Sequence, residues 1–255
     1  MMITTSKPVQ SFSRKTGFTE TVALRSYVEQ KHNFFIAKRV FDIVFSSLVI
    51  LFVLSWLFPI IALLIKLDSR GPVFFVQKRV GRWGKSFKCL KFRTMVVNEQ
   101  ANTKQASEND IRITRIGNFL RKSNLDEFPQ FFNVLLGQMS VVGPRPHMHA
   151  DCNKFSSVIA NYKFRNMVKP GITGLAQVKG YRGPTRNFES IFHRYQFDAF
   201  YIRNANFWLD MRIVRKTAGQ TFDLIFARII GSGKKEDSAS STKQWTPAPS
   251  VKNLN

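Results

Sequence analysis

The run from Val40 to Ile65, VFDIVFSSLVILFVLSWLFPIIALLI, constrains this chain more than any other stretch. It holds one charged residue, Asp42, and it is longer than the roughly 20 apolar residues a membrane-crossing helix needs. That length disfavours a buried helix of a water-soluble protein. Pro59 lies inside the run. It removes a backbone donor and clashes with the preceding turn, which predicts a kink near Phe58. Cations flank both ends: Lys31, Lys38 and Arg39 before it, Lys66, Arg70, Lys78 and Arg79 after it. The positive-inside rule places both flanks in the cytoplasm. A helix broken at Pro59 that enters and leaves by one face satisfies both facts; a straight span is the alternative.

Composition narrows the partners. Against 39 Lys and Arg stand only 16 Asp and Glu, a formal charge of +23, so the surface attracts nucleic acid, anionic lipid head groups or phosphorylated substrates. The 25 Phe residues, several in stretches that also carry Lys and Arg, fit a protein at a membrane interface. Cys89 and Cys152 stand alone, which argues against a zinc knuckle or a disulfide framework. The pair His147 and His149 is weak evidence for a metal site.

Along the chain, residues 1–35 read as a polar, basic N-terminal extension and are unlike a cleavable signal peptide. Residues 36–67 form the membrane helix. Short stretches at Val73–Val76 and Phe87–Phe92 read as strands, and 97–110 as a loop. Ile116, Phe119 and Leu120 carry helical spacing, with Ser123 or Asn124 placed to cap a following helix through Asp126, Glu127 and Phe131. Gly143-Pro144-Arg145-Pro146 is a rigid breaker, and from Asn187 to Ile230 the pattern is helical again. Its last part, from Trp208 to Phe226 with Arg212, Arg215, Lys216 and Arg228, has the composition of a helix in a membrane interface; an amphipathic helix packed on the core fits equally. Residues 231–255, rich in Ser, Lys and Pro, read as a disordered tail.

Carboxylates are scarce, so those in basic surroundings stand out. Asp126 and Glu127 follow Arg121 and Lys122 and precede Arg145. Nearby cations favour their ionised forms, which suits Mg²⁺ binding or nucleophilic attack on phosphorus; an ordinary acidic first turn of a helix is the bland reading. Arg145, stiffened between two prolines, suits a bidentate phosphate clamp. No P-loop or G-x-G-x-x-G motif appears.

The ordered motifs Lys38-Arg39-x-Phe41-Asp42, Gly71-Pro72, Gln77-x-Arg79-x-Gly81, Lys91-Phe92-Arg93-Thr94-Met95, Leu125-Asp126-Glu127-x-Pro129-Gln130, Gly143-Pro144-Arg145-Pro146 and Lys169-Pro170-Gly171-Ile172-Thr173-Gly174-x-Ala176-Gln177-Val178 resemble the bacterial sugar transferase family, the monotopic polyprenyl-phosphate phosphoglycosyl transferases. The resemblance covers about Lys38 to Thr217, and the stretch from Gly180 to Asp210 is most similar to the exopolysaccharide-initiating, hexose-1-phosphate branch. It implies transfer of a sugar-1-phosphate from a UDP-sugar to undecaprenyl phosphate with release of UMP. It implies a re-entrant helix with its break at Pro59, and an Asp126–Glu127 dyad that works with Mg²⁺. Asp126 would be the nucleophile, forming a covalent phosphosugar-aspartate, while Glu127 would help hold the metal or orient the dyad. Arg121 and Arg145, with Arg79 and Arg93 behind them, are the residues expected to bind substrate phosphates. This chain has Phe58 where many relatives have Ser before the membrane proline, and about 35 residues ahead of the apolar run, too few for the extra helices of longer relatives.

The expected architecture is therefore α+β: a re-entrant helix-break-helix hairpin followed by a small, mixed, mostly helical cytosolic catalytic domain over 68–230 with interfacial amphipathic helices. The expected setting is the inner membrane with the catalytic domain facing the cytoplasm. The expected partners are a UDP-sugar, undecaprenyl phosphate, anionic membrane lipids and downstream glycosyltransferases, with a homodimer left open and no nucleic acid. A basic membrane scaffold or a nucleic-acid-binding protein without catalysis is the competing reading. The sugar stays open, glucose or galactose ahead of an N-acetylated hexose.

Overall fold

A helix of 37 residues, His32–Asp68, carries the apolar run and is long and apolar enough to cross a membrane. The computed structural model describes residues 28, 30–98, 110–183 and 187–229, with side chains through 226. The N-terminal extension up to residue 27, the tail from residue 230 and most of the expected 97–110 loop lie outside these described residues. Helical backbone continues through Pro59: helix α1 (His32–Val49) passes through a widened, π-helical turn at Ile50–Leu54 into α2 (Ser55–Asp68). The irregularity thus falls at Ile50–Leu54, ahead of the expected position at Phe58. Side chains bond the carbonyls of that widened turn: Ser55 Oγ donates to Leu51 O at 2.5 Å and Trp56 Nε1 to Phe52 O at 2.7 Å. Side-chain donors of this kind serve carbonyls at a local irregularity of an apolar helix.

Lys38, Asp42, Ser46, Leu54, Ile61 and Ile65 are the buried positions of this helix, whereas Leu51, Phe52, Trp56, Leu63 and Leu67 are exposed. One stripe therefore faces the rest of the protein, and it does so on both sides of the widened turn. On α1, Lys38 Nζ meets Asp210 Oδ2 at 2.5 Å, and Asp42 Oδ1 accepts from Ser140 Oγ at 3.0 Å and from Val141 N at 2.9 Å. On α2, Ile61 and Ile65 pack with Phe92, Leu120 and Leu125. Phe58, Phe74 and Phe92 stack around them, with centroids 5.3–5.9 Å apart.

After the helix, β1 (Phe74–Val80) and β2 (Ser86–Phe92) form an antiparallel hairpin in the register Phe74↔Phe92 to Val80↔Ser86. The expected strands are present, and β1 extends past Val76 because Gln77 and Val80 turn inward. Helix α3 (Arg115–Ser123) begins where Thr114 Oγ1 accepts from Gly117 N at 3.0 Å. Here the structure corrects one expectation. Asn124 takes a left-handed conformation (φ 62°) that closes α3 and opens a single 3₁₀ turn, Leu125–Glu127, and its side chain caps nothing. Ser123 Oγ bonds backward to Phe119 O and Leu120 O, so it starts no helix either. A short polar residue that tolerates positive φ serves the end of a helix as well as a beginning.

Helix α4 (Gln130–Leu135) leads to β3 (Ser140–Val142), which pairs in parallel with β4 (Gly171–Thr173). Between them lie α5 (His149–Val158) and a 3₁₀ stretch, Tyr162–Met167. Then come α6 (Leu175–Val178), α7 (Phe188–Asn204) and α8 (Phe207–Ile229). The β3–β4 crossing is so close that a Cβ on Gly171 would lie 2.1 Å from Gly143 N, and one on Gly174 would lie 2.2 Å from Gly143 O. The described residues are mostly helical with two small sheets, an α+β architecture. Helix α8 is buried at Asp210 and Ile213 but exposes Trp208, Phe222, Leu224 and Phe226.

Candidate functional site

The Leu125–Glu127 turn is held between α3 and β2, and it sets both carboxylates into the wall of a cleft of about 670 Å³. Asn133 braces the floor: its Oδ1 accepts from Leu90 N at 2.9 Å and its Nδ2 donates to Lys88 O at 2.7 Å, fixing α4 to β2 and so placing Lys91. Glu127 is 4% exposed and carries three cations. Arg145 donates to it twice, at 2.6 and 3.0 Å, Lys91 once at 2.8 Å and Arg182 once at 3.2 Å. Burial alone would raise its pKa, but Arg145, Lys91 and Arg182 outweigh burial and hold it well below the usual carboxylate range. The same partnership holds the Arg145 guanidinium above its ordinary value against the burial that opposes it.

Asp126, its neighbour, is treated oppositely. No hydrogen bond from a described residue reaches its carboxylate, and burial together with the Glu127 charge raises its pKa despite Lys91, Arg121 and Arg145. A buried carboxylate in a cationic field, without hydrogen-bonded partners, keeps its lone pairs for an incoming group.

The cations of the cleft fall into two groups. Arg121, whose Nε donates to Thr94 Oγ1 at 3.0 Å, and Arg79, whose Nη1 donates to the Pro146 carbonyl at 3.3 Å, face the cleft without an ion pair among the described residues. Burial lowers the pKa of both, as it does for Arg182. Arg93 lines the cleft too, but its guanidinium donates to the carbonyls of Ile65, Ser69 and Arg70, the C-terminal turn of α2. It ties the apolar helix to the cleft wall and has fewer donors left for a phosphate. Pro59 lies within α2, away from the cleft lining.

Lys91, Arg182 and Arg194 were not singled out by the sequence. Lys91 stands in the Lys91-Phe92-Arg93-Thr94-Met95 motif, which was its one signal. Arg182 follows a glycine-rich stretch, and Arg194 sits within α7. Arg194 is pushed down to about 10 by burial and by Arg145 and Arg165. The two histidines point to different partners: His149 Nε2 lies 2.7 Å from Ser86 Oγ, and His147 Nδ1 lies 2.9 Å from Tyr162 Oη. Cys89 and Cys152 are free and buried.

No group of three or more metal-ligating side chains occurs among the described residues. Two carboxylates suffice for Mg²⁺ when substrate phosphates complete its shell. Of the two, Asp126 fits better, because the Glu127 oxygens are already occupied by cations.

The site is thus a basic cleft built around paired carboxylates and set against a long apolar helix. The bacterial sugar transferase profile matches residues 33–223, and the chain belongs to that family. It is similar to a UDP-glucose:undecaprenyl-phosphate glucose-1-phosphate transferase of Klebsiella pneumoniae, 50% identical over 186 residues, which is 72% of this chain and 40% of the relative. A protein of the same description in Xanthomonas campestris pv. campestris is 43% identical over 208 residues, 81% of this chain and 43% of the relative. The exopolysaccharide production protein PSS of Rhizobium leguminosarum bv. phaseoli is 47% identical over 184 residues, 70% of this chain and 92% of the relative. The chain thus spans less than half the length of the first two.

Proposed function

We propose that this chain transfers a hexose-1-phosphate from a UDP-sugar to undecaprenyl phosphate and releases UMP. The observation that carries the reading is the division of labour in the dyad. Asp126 has no hydrogen-bonded partner among the described residues of a cationic cleft, while Glu127 gathers Arg145, Lys91 and Arg182 beside it. In the first half-reaction a carboxylate oxygen of Asp126 attacks the sugar-bearing phosphorus. The P–O bond to UMP breaks, leaving an acyl phosphate on Asp126. In the second, an oxygen of undecaprenyl phosphate attacks the same phosphorus, and the bond to Asp126 breaks. Arg121, Arg145 and Arg79 neutralise charge on the phosphoryl oxygens. Mg²⁺, held mainly by Asp126 and the substrate phosphates, would add to that neutralisation. The relatives' names support the substrates, and glucose is the hexose they favour.

The membrane arrangement supports the same reading. A straight 37-residue helix would be roughly 55 Å long, well beyond a hydrocarbon core of about 30 Å. Polar domain contacts at Lys38 and Asp42 on one arm, and at Ile65 to Arg70 on the other, fit a re-entrant helix that keeps both ends on the cytoplasmic face of the inner membrane. The exposed aromatic side chains of α8 fit a helix resting in the interface there. A UDP-sugar labelled in the sugar and the β-phosphate tests the reaction: label should enter the lipid with UMP release and stay on the protein when the lipid is withheld. Label that never enters lipid would sink the reading.

A further inference from the structure

His147 stands two residues after the Arg145 clamp, yet nothing in the reaction described above uses it. It is 5% exposed and lines the cleft, and its Nε2 is buried without a hydrogen-bond partner among the described residues. Its other ring nitrogen is engaged by Tyr162 Oη at 2.9 Å, and the ring is stacked on Tyr162 and set edgewise to Phe155. Tyr162 is itself held by the Arg165 guanidinium 5.4 Å from its ring centre. The imidazole is therefore fixed in direction, with one polar atom left over. Buried polar atoms are almost always paired, so an orphan on a substrate cleft points to a ligand.

We propose that His147 is a specificity-determining residue whose Nε2 hydrogen-bonds a hydroxyl of the transferred hexose. Three observations choose that partner. The phosphates have arginines to meet them, whereas this ring is neutral: burial, then Arg165, Arg194, Arg79 and Arg145, hold its pKa well below the ordinary value. A neutral nitrogen suits an uncharged hydroxyl. Asp151, in the first turn of α5, also lines the cleft; its carboxylate repels a phosphate and accepts from a hydroxyl. Finally, Arg145 and His147 both line the cleft, and their Cα atoms, two residues apart, are separated by at most roughly 7 Å. The proposal rests on the UDP-sugar reading above and deepens it.

The test compares kinetics of the full chain and of His147→Phe, which keeps the ring and loses the nitrogen, on a panel of UDP-hexoses. For the preferred sugar, kcat/KM falls about tenfold, the discrimination of one hydrogen bond, and the preference among epimers flattens. Inhibition by UMP, which carries no hexose, stays unchanged. Wild-type kinetics in the variant would overturn the proposal. So would a loss of UMP inhibition equal to the loss in kcat/KM, which would assign His147 to the nucleotide. Should His147→Phe fail to fold, His147→Gln is measured on the same panel: altered epimer preference supports the role and unaltered preference overturns it. An unsubstituted chain that moves no label into lipid would instead overturn the transferase reading itself.

Discussion

At the root of the apolar helix, every buried charge finds its counterpart within the protein: Lys38 meets Asp210, which also accepts from Tyr201 at 2.8 Å, and Asp42 meets Ser140 and Val141. In the cleft the accounts do not close. Three cations share Glu127, and Arg79, Arg121 and Arg194 make no ion pair with described residues. A completed network fixes geometry, and an incomplete cationic one leaves room for an anion. The contrast separates the part of the molecule proposed to anchor it from the part proposed to bind substrate.

Four measurements probe that contrast, in descending order of expected effect. Asp126→Asn should reduce turnover by about 10⁴-fold or more, the scale seen when a nucleophile is removed. The same substitution should raise the melting temperature. An acid whose folded pKa is raised is ionised at neutral pH at a cost to stability, and an amide removes that cost. A fall in melting temperature would refute the assignment of Asp126 to the incomplete network. Lys38→Met breaks the completed one, stranding the Asp210 charge, and should cost about 3–5 kcal/mol of stability in thermal or denaturant unfolding.

Arg121→Ala removes a cation that has no ion pair among the described residues. Turnover should fall by roughly 10–100-fold, as when one charge-stabilising donor is lost, while stability is kept or improved. Equal destabilisation by Arg121→Ala and Lys38→Met would erase the distinction between the two regions. The smallest effect concerns pH. Glu127, with its depressed pKa, contributes stability that is full above its unfolded value and is lost only as pH falls through the folded one. Asp126, shifted upward, is protonated earlier on the way down. Turnover should therefore drop, as acid is added, before the fold loosens, and parallel pH–rate and melting profiles check the order.

Much of the anchor could be read from residue order. The apolar run, its flanking cations, the two hairpin strands and the adjacent Asp126 and Glu127 are all local patterns. The cleft was less legible because its chemistry is assembled from afar. Lys91, Arg145 and Arg182 converge on one carboxylate from separations of 18 to 55 residues, and no periodicity records such a meeting. Arg93 shows the converse. By residue type it reads as a phosphate binder, but folding turns its donors onto the carbonyls that end α2. Asn124 misleads for a different reason, since a residue good at starting helices is also good at positive φ.

The close crossing of Gly143, Gly171 and Gly174 has a practical consequence for anyone redesigning this molecule. Every other amino acid at these positions except glycine brings a Cβ, and there a Cβ would meet backbone rather than a yielding side chain. A library randomised for new sugar preference should thus contain a silent zone, three sites where no variant survives although none is expected to touch a substrate. Effort belongs instead on the side chains that line the cleft, such as Asn118, His147 and Asp151.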